Sequence, residues 1–178
     1  QDDWARRLAI AMGKMHTYRR IFSCKDLSLT LRMQIYSACV TSVLLYNAEC
    51  WPCAFGKIMK LLRAQEIRAA HSMVGGDFND NKERILQAAD RMDFRLKYIK
   101  RKANFFGHVA RQPKSSLVGQ AFESGKYTFA QFLPMPLDQA QKDAQDEKAW
   151  KKRVSKWDLK LFEEKLVKVG KWDAKLCQ

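Results

Sequence analysis

The sequence predicts an all-α protein: a helical bundle around a central apolar helix at about residues 28–51, an extended connector, and a basic C-terminal helical tail. Three observations predict it. Apolar residues recur at helical spacing through most of the chain. Capping residues and helix stops fall at the ends of those patterns. A hydrophobic fraction of 47% in 178 residues is enough apolar surface for one real core, which excludes a disordered basic tail.

The first helix runs over Asp2–Phe22 and ends in the polar run Ser23-Cys24-Lys25-Asp26. Ser28 caps the central helix, which continues through Trp51 until Pro52 and Gly56 mark its end. This helix is apolar on nearly all sides, as expected of one surrounded by others. Between Arg32 and Glu49 lie 16 uncharged residues, among them Gln34, Ser37, Thr41, Ser42 and Asn47. A spanning helix needs roughly 20 predominantly apolar residues, so membrane insertion is not expected. Lys57–Val74 forms a third helix, stopped by Gly75-Gly76. Asp80 and Glu83 make a capping box for a short fourth helix to about Asp90. Phe94–Arg111 is a fifth, closed by Pro113. Glu123–Leu137, with Gly125, Pro134 and Pro136, reads as an extended aromatic connector. A tail follows from about Asp138, restarts at Ser155 and Asp158, and stops at Gly170, with Leu159, Phe162, Leu166 and Val169 on one apolar face. The expected organisation is therefore 1–122, 123–137 and 138–178.

Thirty-three Lys and Arg stand against 19 Asp and Glu, a formal charge of +14 that argues for a polyanionic partner. Its location is informative. Phe94–Phe122 holds seven basic residues and no acid. At helical spacing Lys97, Arg101, Asn104, His108 and Arg111 share an arc about 80° wide, opposite Tyr98, Ile99, Phe105, Phe106 and Val109. Lys57, Lys60, Arg68 and His71 make a comparable arc on the third helix. Such stripes contact phosphate with little regard to sequence; a solvated face is the alternative. Nine basic residues against three acids between Lys148 and Lys171 add to the case for nucleic acid. Tyr127, Phe129 and Phe132 of the connector, with Trp157 and Trp172 of the tail, are candidate anchors for protein partners.

No catalytic constellation is expected. Cys50-Trp51-Pro52-Cys53 follows a helix rather than opening one after a strand, so its helix terminus does not favour a thiolate. It also lacks a second ligand pair for zinc. His16, His71 and His108 lie on helices without a nucleophile pattern, and Asp2-Asp3 lacks converging partners for metal-assisted phosphoryl transfer. No phosphate loop, nucleophile elbow or HExxH is present. Neither a metal nor a cofactor is expected. Lys156–Leu161 recurs as Lys171–Leu176, and two copies do not make a solenoid. The odd count of five Cys, irregularly spaced, predicts a reducing intracellular compartment. A start at Gln1 without a signal pattern predicts a processed chain or a fragment.

Three segments carry a family resemblance. Leu27-Ser28-Leu29-Thr30-Leu31-Arg32, running on through Leu44-Leu45-Tyr46-Asn47-Ala48-Glu49-Cys50-Trp51, resembles a stretch downstream of the polymerase core in non-LTR (LINE-type) retrotransposon reverse transcriptases. Gln65-Glu66-Ile67-Arg68 through Met73-Val74-Gly75 resembles the next helix of that region, and Phe105-Phe106-Gly107-His108-Val109-Ala110-Arg111 its following segment. The resemblance covers about residues 6–122. Asn47 stands where the family usually has Gly, and Cys50 often corresponds to Thr. The family's Tyr-x-Asp-Asp carboxylates have no counterpart, so the resemblance implies a thumb-like helical module and contact with RNA or template–primer, not polymerisation. It points to a non-catalytic, retroelement-derived RNA-binding subunit of a ribonucleoprotein. A mitochondrial or other organellar ribosome is one setting, with rRNA and other subunits as partners and the nucleus as another location. A protein–protein scaffold subunit, or a fragment of an active reverse transcriptase, are the alternatives.

Overall fold

The computed structural model describes residues 3–51, 55–79, 81–124 and 133–168, and every regular element among them is a helix. The chain divides into two units, Gln1–Trp51 with Lys57–Arg95, and Pro52–Gly56 with Leu96–Gln178. The main division falls just inside the fifth expected helix.

In the first unit the N-terminal helical pattern is broken at Tyr18 into α1 (Asp3–Thr17) and α2 (Arg19–Ser23). Ser28 caps α3 (Leu29–Tyr36), its hydroxyl accepting from the Leu31 amide at 3.2 Å. The expected single helix over 28–51 is not continuous. It passes through one π-helical turn at Ser37–Thr41, resumes as α4 (Ser42–Leu44), and ends before Asn47, which adopts left-handed φ 54°. A short 3-10 turn over Ala48–Cys50 follows. Next comes α5 (Phe55–Val74), which Gly75 and Gly76 terminate at φ 74° and 77°, a region glycine enters without Cβ strain. α6 (Lys82–Met92) follows. Its preceding residue Asn81 makes no side-chain cap, and Asp80 of the expected capping box lies outside the described residues. α7 (Phe94–Ala110) contributes its first two residues to this unit.

The first unit's core holds a run of rings. Phe22 lies 5.0 Å from Tyr36, and Tyr36 stacks on Phe94 at 5.8 Å. Aromatic contacts of this kind add about 0.5–1.5 kcal/mol each beyond their buried area. Burial pushes the Tyr36 phenol far above its ordinary range. Two buried polar side chains tie elements together. Arg32 donates to the Phe22 carbonyl at 3.1 Å and to the Met73 carbonyl at 2.6 Å, closing the C-terminal ends of α2 and α5. Glu66 accepts from the backbone amide and the Nε of Arg95, at 3.1 and 2.9 Å, joining α5 to the start of α7.

The second unit is built on α7 from Leu96 onward. Ser116 caps a helix the sequence reading did not anticipate, α8 (Leu117–Glu123), by accepting from the Gly119 amide at 3.0 Å. Residues 133–136 are irregular, and α9 (Leu137–Gln145) follows. Asp146 caps α10 (Glu147–Ser155), accepting from the amides of Lys148 and Ala149. Asp158 accepts from the Leu161 amide at 2.9 Å and so opens α11 (Leu159–Lys168) at the expected restart. A chain of rings forms the core: Phe122, Phe106, Trp150, Trp157 and Phe162, with successive centroids 5.2–5.8 Å apart. Trp150 also donates its indole N–H to the Ala103 carbonyl at 3.0 Å.

Candidate nucleic-acid interface

The two expected basic stripes belong to different units, and each is divided by its surroundings. On α5 the N-terminal pair is separate from the C-terminal pair. Lys57 is exposed and lies 5.1 Å from the ring centre of Trp4, while Lys60 is exposed one turn on. Arg68 and His71 instead line a groove.

That groove runs along α1 and α5 in the first unit and has a volume of about 650 Å³. Met12, Met15 and Phe78 supply apolar lining; Arg19, Arg68, His16 and His71 supply the basic groups, and no acid is among the described lining residues. Met12 is 45% exposed and Phe78 38%, so these are apolar groups open to solvent. The His71 and Phe78 rings lie 6.2 Å apart at an interplanar angle of 47°. Phe78 sits just after the Gly75-Gly76 turn, in a loop where Asp77 uses a carboxylate oxygen to accept from the Asn79 amide at 2.7 Å. Among the described residues neither Arg19 nor Arg68 forms an ion pair. Sequence reasoning missed His16, Arg19 and Phe78 as site residues. The available signal was Met12, His16 and Arg19 recurring on one face of an otherwise basic helix.

On α7, Arg101, Asn104 and His108 are exposed and Lys97 is half-buried. The far end of the stripe is structural. Arg111 is half-buried and donates to the Ala144 carbonyl at 2.7 Å, at the C-terminal end of α9, where a cation is favourable. Glu147 stands close by. Its carboxyl is held below the ordinary value, first by the Lys151 hydrogen bond and charge, then by the charges of Arg111 and His108. Other cations of the acid-free segment also have internal roles. Lys102 is buried, Lys100 donates to the Ser155 carbonyl at 2.8 Å, and Lys114 pairs with Glu123 at 2.8 Å.

Of the expected protein-partner anchors, Trp157 is 5% exposed and packed between Trp150 and Phe162. It belongs to the core of its own unit, a correction with a plain cause: the turn after α10 folds it inward. Tyr127, Phe129, Phe132 and Trp172 lie outside the described residues. Cys50 is exposed, and Cys24 and Cys39 are half-buried, all with free thiols; Cys53 is outside the described residues. Among the described residues no group of three or more His, Cys, Asp or Glu converges, and no helix is long and apolar enough to cross a membrane. Comparison of the chain with protein-family models, curated proteins and solved structures found no match.

Proposed function

We propose that this chain is a non-catalytic RNA-binding protein, a basic structural subunit of a ribonucleoprotein, with an organellar ribosome as one setting. The observation that carries the reading is the first-unit groove, where Arg19, Arg68 and two histidines line a cavity with no acid among its described lining residues. Cations that already serve the fold are not available to a polyanion; unpaired ones beside an open cavity are. The exposed Arg101 and Asn104, with Lys97, give a second basic face on α7.

The resemblance to the post-polymerase region of LINE-type reverse transcriptases supports the same reading. Asn47, where that family usually has Gly, adopts φ 54°, a conformation both residues accept. The test is binding of structured RNA across a salt series. Affinity should fall linearly on logarithmic axes, by roughly 0.9 of a decade per decade of salt for each duplex phosphate contacted. An affinity flat between about 50 and 200 mM salt would sink the proposal. A scaffold role is the second reading, favoured by Leu117 at 84% exposure beside Val118 at 47% on the first turn of α8.

A further inference from the structure

Resting on that RNA-binding reading, we infer that the first-unit groove takes unpaired nucleotides. A base lies on the Phe78 and His71 rings beside Met12 and Met15, and Arg19 and Arg68 hold the flanking phosphates.

Two independent features converge on this ligand. The first is charge: among the described residues, two guanidiniums without acid partners and two histidines surround a cavity with no carboxylate in its lining. The second is the solvent-open apolar surface of Phe78 and Met12 beside them. A duplex offers phosphate rows but keeps its base faces stacked, so it would use the cations and leave the apolar lining wet. A single strand offers both repeating negative charge and free π-faces, and stacks on aromatic rings and guanidinium planes with little regard to base identity. An acidic amphipathic peptide also combines charge with apolar surface. The formal charge of +14 and the separate basic face on α7 favour a long polyanion over a short acidic segment.

The experiment compares the full chain with Phe78→Ala and Arg68→Ala in binding a labelled single strand of about 12 nucleotides and the matching duplex. Both side chains are exposed, so helical circular dichroism should be unchanged. The expected result is a loss of about tenfold in single-strand affinity for each variant; duplex affinity should change less than about twofold for Phe78→Ala, whereas Arg68→Ala weakens both through the lost phosphate contact. As a direct readout, 4-thiouridine in the strand should photocrosslink to the peptide that carries His71 and Phe78. If the parent binds RNA and both variants bind it equally well, the groove assignment is wrong while the RNA-binding proposal stands. If the parent binds no RNA at low salt, both fail. If a synthetic Glu- and Leu-rich helical peptide binds in a Phe78-dependent way while RNA ignores Phe78, the groove is a peptide site and the nucleotide assignment is overturned.

Discussion

Arg32 shows how a charged side chain can be committed to the fold rather than to a partner. A lone charge in so apolar a stretch is ordinarily expected at the surface. Its guanidinium is instead buried, with hydrogen bonds to the Phe22 and Met73 carbonyls. Charge-assisted bonds of this kind contribute about 1.5–3 kcal/mol each, so Arg32→Met should lower unfolding stability by about 2 kcal/mol or more, read from the urea midpoint. Arg32→Lys should recover only part of that, because both bonds come from Nη1 at the far end of the guanidinium, beyond the reach of the shorter ammonium. Gly107 is likewise committed to the fold. A Cβ there would collide with the Trp150 indole, so Gly107→Ala should cost about 1–3 kcal/mol through overpacking. Gly13 is its control: nothing lies within 4 Å of its would-be Cβ, and Gly13→Ala should stabilise by about 0.5–1 kcal/mol. Equal thermal shifts for the two alanines would refute the packing argument. Ser28 was legible because a cap is a local device. Arg32 was not, because its acceptors lie 10 and 41 residues away.

The helices show where periodicity informs and where it stops. Phe94–Ala110 is within a residue of expectation, and Val74 is where α5 ends, since glycines with positive φ impose a stop whatever surrounds them. The 28–51 segment was misjudged because an almost uncharged stretch has no periodicity to interrupt. The left-handed Asn47 and the π turn before it leave no mark on an apolar pattern. α8 was overlooked because Leu117 and Val118 at its start face solvent, contrary to an amphipathic pattern. Pairings between elements were equally hidden. Glu66 and Arg95 are 29 residues apart, yet both are buried and bonded. Burial raises the Glu66 carboxyl above its ordinary 4.5, against the opposing pull of Arg95 and Arg63. A carboxyl raised on folding has its stabilising contribution fully present below the unfolded value, and loses it as pH rises through the folded one. Gln stands in for the protonated acid, so the stability advantage of the parent over Glu66→Gln should be greatest near pH 4 and shrink toward pH 7. Urea midpoints at several pH values check this; a gap that widens with pH would mean that the arginines outweigh burial.

At the scale of the whole molecule, a charge of +14 is a sum over residues with different duties. The acid-free segment looked like one contact surface, and burial has sorted it. Lys100 and Arg111 donate to backbone carbonyls, Lys114 meets Glu123, and Lys102 is buried, whereas Arg101 is exposed. Reversing Lys97 and Arg101 to Glu should weaken RNA binding and flatten its salt dependence. Reversing Arg111 should destabilise the second unit instead, by placing a carboxylate against the Ala144 carbonyl at a helix C-terminus. The same sorting redefines the tail, which reads from sequence as a Lys-rich appendage. Trp150 is 1% exposed, contacts Phe106 and Trp157, and reaches the Ala103 carbonyl through its indole N–H. The segment around Phe106-Gly107 thus obtains its cover from the tail. Trp150→Ala should cost about 3–5 kcal/mol, the amount typical of a large aromatic removed from a core. Trp150→Phe should cost less, retaining the ring contacts and losing chiefly the hydrogen bond. The measurement is the urea transition of each variant. If the tail were only an appendage, both substitutions would leave that transition where it is.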